Sequence, residues 1–376
     1  MIKKPELRYL HMDITVKCNL TCKHCFYGDF NKKEFFQQEV ELERLYEIVD
    51  EAKSMGCERI ILSGGEVLTS NKFFPLLEYC KNRGINNIFI SNLTLLNDEN
   101  LFKLQQFADN ITEIKVSFEG KNNDFIRGNG TEKIILKNIK KLDHLKLPWT
   151  INTIINKYNV NHLNDIYQFL KSHHPKAWRI DLPFNAGRYK QYKNDIHEEN
   201  YELVFKRLSE VIKNYLDERP DFELWIFNVF QPGIEDCDFV EKTQDMHPCA
   251  YNKRNLGIRG LGEVTPCSRF LQLELGNIKN ESIRNVKESD RFKNFWNIEL
   301  SDFRECQKCK YLKICGCGCR AFAYEAYGDI MRKDPLNCEV MPLFEKYIIP
   351  LFSQETQKSF HRLTSNEKLV TESRKL

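Results

Sequence analysis

The chain has no long block of like charge. Its 56 Lys and Arg residues nearly balance 53 Asp and Glu, leaving a formal net charge of +3. A balance of that kind carries no electrostatic footprint for nucleic acid. No apolar run approaches the roughly 20 residues that a membrane-spanning helix needs, and residues 1–6 lack the apolar core of a signal peptide. These absences predict a cytoplasmic protein with no nucleic-acid partner and no membrane partner. Low-complexity tracts are missing too. At 376 residues the chain exceeds the size at which one hydrophobic core usually stops growing, which predicts one large domain and a smaller one.

Cysteine is what the chain has in excess. Of its 14 cysteines, three lie within residues 18–25 and nine within residues 237–338, a grouping that scattered core cysteines would not show. Reducing thiol pools keep structural disulfides from accumulating in the cytosol, so metal ligation is the leading explanation. Cys57 and Cys80 stand apart from both groups, and inert core packing is the simpler reading for them.

In the first half, apolar runs at residues 9–15, 59–63, 88–92, 113–118, 149–155 and 178–182 have the composition of strands covered on both faces. Between them Leu42, Leu45, Val49 and Ala52 share one helical face, as do Leu101, Leu104 and Ala108. Gly56 and Gly84 sit where a helix would end. The rhythm predicts an α/β fold in which six βα units curl into a partial, TIM-like (β/α)6 barrel over residues 1–190, with the chemistry at the C-terminal ends of the strands. Residues 191–229 read as a linker helix, at 199–216, and a bridging strand. The aromatic-rich stretch 222–230 reads as packing. Residues 230–343 read as a small cysteine-rich domain with a hairpin at 255–265, and residues 344–376 as a C-terminal tail.

Directly after the first predicted strand come Cys18, Cys22 and Cys25. Three thiolates on a 4Fe-4S cubane leave one iron without a protein ligand, the open position that distinguishes catalytic from structural metal sites. On spacing alone, a zinc site completed by His24 is the alternative. The C-x3-C-x2-C spacing, with the aromatic ring of His24 before the last cysteine, resembles the signature loop of the radical S-adenosylmethionine (SAM) superfamily. The resemblance implies that SAM chelates the open iron and is cleaved by one electron to methionine and a 5'-deoxyadenosyl radical, which abstracts a substrate hydrogen. It also implies SAM contacts at Gly64, Gly65 and Glu66, a GGE motif followed by Val67 where the family usually has proline. Further implied contacts are His24, Asn92, Ser117, Glu119 and Arg127, whose planar fork suits a carboxylate. Asn152 matches relatives as well.

The second group runs Cys249-x12-Gly262-x4-Cys267, then Cys306-x2-Cys309-x5-Cys315-x3-Cys319, then Cys338. It resembles the seven-cysteine pattern of the SPASM domain, a cysteine-rich C-terminal domain. The resemblance implies one auxiliary 4Fe-4S cluster on Cys306, Cys309, Cys315 and Cys338 and a second on Cys249, Cys267 and Cys319. Cys237 is the candidate fourth ligand of the second, the alternative being an open iron. Cys317 stands where relatives commonly have glycine, and packing is its simplest role.

SPASM-bearing relatives mostly modify peptides and proteins. The implied activity is therefore an oxidoreductase acting on a peptide, a maturase of a ribosomally made peptide that forms a crosslink or an epimerised residue. The implied partners are that substrate and an external electron donor of flavodoxin or ferredoxin type. Seventeen residues precede Cys18, too few for a leader-recognition domain, so a separate leader-recognition protein is a further expected partner. The alternatives are small-molecule oxidation, a zinc-stabilised binding module, and sulfatase maturation to formylglycine. The last is weakened by Ser268, because sulfatase-maturating relatives carry aspartate after the matching cysteine.

Overall fold

The computed structural model describes residues 5–28, 32–227, 229–249 and 253–365. Residues 366–376 of the expected tail, and 250–252 and 228 within the expected cysteine-rich domain and bridging segment, lie outside the described residues. The chain forms two compact units, one made of Met1–Pro232 and Ala250–Asn297, the other of Gly233–Cys249 and Ile298–Leu376. Among the described residues, no helix is long and apolar enough to cross a membrane.

The first unit is built on strands β1 (Tyr9–Thr15), β2 (Arg59–Gly64), β3 (Asn86–Ser91), β4 (Ile111–Ser117), β5 (Trp149–Ile154) and β6 (Ala177–Asp181). They pair in parallel and in sequential order. Sequential parallel order with right-handed crossovers puts every connecting helix on the same face, and a sheet covered that way curls as in a (β/α) barrel. The strands form where the apolar runs are, because Leu10, Met12, Ile60, Leu62, Phe89, Ile114, Ile151 and Ile180 are all buried. The helix Leu42–Ser54 covers them with Leu45, Ile48, Val49 and Ala52. The helix Asp98–Gln105 is shorter than its apolar spacing implies: it stops before Ala108, which is exposed, and buries only Leu104.

Two further parallel strands extend the six. β7 (Glu223–Ile226) pairs with β6, inside the stretch read from sequence as aromatic packing. It is half-buried, with Leu224 and Ile226 inward and Trp225 outward, so it lacks the continuous apolar signature of its neighbours. The expected 255–265 hairpin is present as β8 (Asn255–Ile258) and β9 (Glu263–Thr265). β8 pairs in parallel with β1, and β10 (Gly276–Asn277) closes that edge, giving one sheet of ten strands.

The second unit contains the helices Leu312–Cys315, Arg320–Tyr327, Pro335–Tyr347 and Gln354–Thr364. Its aromatic centre is Phe360, whose ring lies 5.5 Å from that of Phe239 and 5.9 Å from that of Phe344. Asp334 caps the Pro335–Tyr347 helix by accepting from the Leu336 and Asn337 amides.

Phe89 is fully buried in β3 with its ring edge-on to Phe73 at 5.1 Å. Phe89→Ala is expected to lower unfolding free energy by about 3–5 kcal/mol. The same change at Phe102, 64% exposed, should cost no more than about 0.5 kcal/mol. Urea denaturation followed by circular dichroism measures both, and equal costs would remove Phe89 from the core.

Candidate active site at the strand ends

The cysteine loop begins where β1 ends, and its place is set by backbone contact with the end of β2. The Gly65 amide donates to the Thr15 carbonyl at 2.9 Å and the Glu66 amide to the Lys17 carbonyl at 2.8 Å. A Cβ at Gly64 or Gly65 would lie 2.1 Å from the carbonyl oxygens of Thr15 and Lys17 respectively. Both glycines therefore let the second strand end press against the loop that carries the thiols.

The Glu66 side chain, 1% exposed, turns to the third strand end. Its Oε1 accepts from Ser91 Oγ at 2.8 Å and its Oε2 from the Asn92 amide at 2.7 Å. Burial raises its pKa, and these donors pull it back down without cancelling the rise. Asn92, held this way, places Nδ2 4.0 Å from Cys18 Sγ.

Glu119, just past β4, does the same for the next strand and for the loop. Its Oε2 accepts from the Ile154 amide at 2.8 Å, and its Oε1 lies 2.5 Å from Arg127 Nη2 and 3.2 Å from His24 Nε2. Arg127 Nη1 is 3.8 Å from Cys22 Sγ. Burial alone would raise the Glu119 pKa, but Arg127 and His24 outweigh it and hold the carboxyl below its ordinary value. Burial and the Arg127 charge lower the pKa of His24, favouring a neutral ring.

Seven of the implied SAM contacts thus surround Cys18 and Cys22 through direct bonds or strand-end pairing: Gly64, Gly65, Glu66, Asn92, Glu119, Arg127 and His24. Ser117 ends β4 in register with Asn152 of β5. Groups that sequence reasoning missed also hold the loop. Arg188 donates to the Cys22 and Gly28 carbonyls at 3.3 and 2.9 Å. Glu39 accepts from Thr15 Oγ1 and the Val16 amide, both at 2.8 Å, and pairs with Lys72 at 2.9 Å. Asp13 lies 3.6 Å from Arg259, whose guanidinium stacks 4.1 Å from the Tyr27 ring. Neither Arg188 nor Glu39 carried a signal in the sequence.

These residues fit a cubane cluster and a polar ligand beside it. None of the fourteen cysteines is joined in a disulfide. Burial pushes Cys18 up to about 12 and Cys25 up to about 11, and raises Cys22, so the loop favours neutral thiols until a metal supplies positive charge. His24 Nδ1, Arg127 Nε and Asn152 Oδ1 are buried without a hydrogen-bond partner among the described residues. Such orphaned atoms await a polar ligand. Among the described residues no three His, Cys, Asp or Glu side chains converge on one ion.

The second group of cysteines is placed as follows. Cys267 follows β9 in the first unit. Cys306, Cys309, Cys315, Cys319 and Cys338 lie in the second, on the short turns and helix ends between Arg304 and Tyr347. Asp334 accepts from the Cys319 amide at 2.7 Å while its carbonyl accepts from the Cys338 amide at 3.1 Å. Asn337 Nδ2 approaches Cys315 Sγ at 3.5 Å, and Lys242 Nζ donates to the Cys315 carbonyl at 3.0 Å. The Cys249 amide donates to His247 Nδ1 at 3.0 Å. Cys237 is exposed, with its thiol directed to the Ile234 carbonyl at 3.5 Å. Burial and the neighbouring Glu235, Asp238 and Asp236 raise its pKa.

The Glu119–Arg127 pair gives a pH-dependent prediction. Because the folded carboxyl titrates below its ordinary 4.5, its contribution is present above that value and is lost as pH falls through the folded one. Arg127→Met leaves Glu119 buried and unpaired, which is expected to cost about 3–5 kcal/mol at pH 7. Urea denaturation of the metal-free protein should show that deficit shrinking on acidification to pH 4. A deficit independent of pH would remove the pair from the stability balance.

Comparison with known proteins matches this geometry. Residues 12–170 match the model of the Radical SAM superfamily, and residues 249–317 match SPASM, an iron-sulfur cluster-binding domain. The AdoMet-dependent heme synthase of Methanosarcina barkeri is 27% identical over 342 residues, covering 87% of this chain and 95% of that protein. The cysteine-type anaerobic sulfatase-maturating enzyme of Clostridium novyi is 25% identical over 336 residues, covering 81% of this chain and 85% of that one. Among solved structures, Streptococcus suis SuiB bound to S-adenosylmethionine superposes with a TM-score of 0.70 at 18% identity, over 89% of this chain and 77% of that one. Native anSMEcpe with bound AdoMet superposes with a TM-score of 0.69 at 19% identity, over 91% and 97%. These two likenesses establish a shared fold. The three-thiol loop at the end of β1, the GGE turn beside it and both domain matches together make the chain a member of the radical SAM superfamily with a SPASM domain.

Proposed function

We propose that the protein modifies a peptide by abstracting a hydrogen atom from a side chain or α-carbon, as a maturase of a ribosomally made peptide. The observation that carries the radical step is the buried Glu119–Arg127–His24 group in contact with Cys22. When bound, the N-terminal cluster and SAM supply one electron and a 5'-deoxyadenosyl radical. The chain's own residues hold and orient. Cys18, Cys22 and Cys25 would carry the cluster. Gly64, Gly65 and Glu66 fix the strand end beside it. Asn92, Arg127 Nε, His24 Nδ1 and Asn152 Oδ1, with Ser117, offer polar atoms to SAM. Burial of this group excludes water, which keeps a reactive radical from side reactions.

A peptide substrate is supported by two neighbours of the same fold, SuiB bound to precursor peptide SuiA and anSMEcpe bound to the Cp18Cys peptide. Formylglycine formation is disfavoured by Ser268, whose carbonyl accepts from Arg259 Nη1 at 3.3 Å where a catalytic aspartate would be needed. Cys249, Cys267, Cys306, Cys309, Cys315, Cys319 and Cys338, with Cys237, would hold two auxiliary clusters that accept the second electron or bind substrate, fed by a flavodoxin- or ferredoxin-type donor in the cytoplasm. A separate leader-recognition protein completes the expected partners. A second reading, action on an iron porphyrin, is favoured by the heme synthase relatives, of which the M. barkeri and Nitratidesulfovibrio vulgaris proteins align over 95% and 94% of their lengths.

Anaerobic reconstitution should yield about twelve irons, falling by about four when Cys18, Cys22 and Cys25 are all changed to Ala, with loss of 5'-deoxyadenosine release. Zinc without iron, or release that survives the triple change, would overturn the radical reading. Deoxyadenosine release coupled to a mass change in a peptide encoded beside this gene supports the peptide. Release coupled instead to conversion of an added iron porphyrin selects the second reading.

A further inference from the structure

Cys317 is the one cysteine of the second group that the seven-cysteine pattern leaves without a role. It is buried, 3% exposed, yet has φ +63 between Gly316 at +60 and Gly318 at +74. A non-glycine residue in the left-handed region carries strain of order 1–3 kcal/mol, and such strain persists only where the surroundings enforce it. Glycine here would be free of it.

The surroundings are specific. The Cys317 side chain packs in one cluster with Cys306, Leu300, Phe303 and Leu312. Its carbonyl is fixed by Arg320 Nη2, while Arg320 Nη1 donates to the Ile330 and Arg332 carbonyls at 2.6 and 2.7 Å, and the guanidinium lies 4.6 Å from the Phe303 ring centroid. The left-handed turn therefore holds the Cys317 side chain inside the same apolar cluster as Cys306.

We propose that Cys317 is a positioning residue of the auxiliary cluster on Cys306, Cys309, Cys315 and Cys338, donating an S–H hydrogen bond to the Cys306 sulfur and raising that cluster's reduction potential. The inference rests on Cys306 being a cluster ligand, as proposed above. A hydrogen bond to a ligand sulfur stabilises the more negative, reduced cluster, and in a water-excluded pocket it is not replaced by solvent when lost.

The test uses the anaerobically reconstituted full chain in the Cys18, Cys22 and Cys25 to Ala background, which silences the N-terminal cluster. Cys317→Gly suits the left-handed backbone and removes the donor, and Cys317→Ser keeps a donor. Iron content and the auxiliary midpoint potentials are read by metal analysis and by redox titration followed by electron paramagnetic resonance. The expected result is unchanged iron in both variants, a midpoint shifted to more negative potential in Cys317→Gly, and no such shift in Cys317→Ser. An unshifted midpoint at full iron content in Cys317→Gly would overturn the inference and leave the cluster assignment standing. Loss of about four irons from that variant would overturn it by making Cys317 a ligand. Absence of auxiliary iron in the parent protein would overturn the cluster assignment itself, and the inference with it.

Discussion

A carboxylate taken out of water costs several kcal/mol unless its oxygens are met by donors and its charge by a cation. Glu119, 1% exposed, meets that demand with groups from three segments: Arg127 from the short helix after β4, His24 from the cysteine loop and the Ile154 amide from the end of β5. No one of these segments satisfies it alone. The buried charge thus forces the cysteine loop and two strand ends into one arrangement, and the position of Cys22 follows through Arg127.

Glu66 repeats the device two strands earlier with neutral donors. Its oxygens take Ser91 Oγ and the Asn92 amide. In a parallel sheet the amides beyond the last ladder bond need acceptors, and a carboxylate from the preceding strand end supplies one. Two carboxylates therefore finish hydrogen bonding that the sheet leaves open, and they leave side-chain nitrogens of Asn92 and Arg127 directed at Cys18 and Cys22. Burial raises the Glu66 carboxyl more than its donors and the Arg127 charge lower it, whereas at Glu119 the adjacent Arg127 and His24 outweigh burial.

The strands β1 to β6 were legible because each carries apolar residues that the core buries, Leu10 and Met12 in β1 and Ile114 and Val116 in β4 among them. The cysteine spacings were legible because cluster geometry admits few of them. β7 was harder to read, since an edge strand with Trp225 outward alternates rather than running apolar. Ala108 fell outside its helix because apolar spacing continues past Gln105 into a turn, where no apolar partner requires helical geometry. Glu39, Arg188 and the Asp13–Arg259–Tyr27 contact were not legible at all. Each is defined by a partner far along the chain, and a single charged residue in a loop has no period to betray it. Arg127 was singled out as a fork suited to a carboxylate, and it pairs with Glu119 while its Nε has no hydrogen-bond partner among the described residues.

The pairing of β8 with β1, Tyr9 opposite Asn255 and Met12 opposite Ile258, bears on how such chains evolve. In this chain the segment that leads to Cys267 is hydrogen-bonded, residue for residue, to the strand that leads to Cys18. A recombination breakpoint between residues 232 and 250 would bring in a foreign β8, whose register with β1 must be kept, since a slip of one residue reverses which side chains face the core. Viable exchange of the cysteine-rich segment is thereby confined to donors that preserve this edge, or to crossovers after Asn297, where the sheet is already complete.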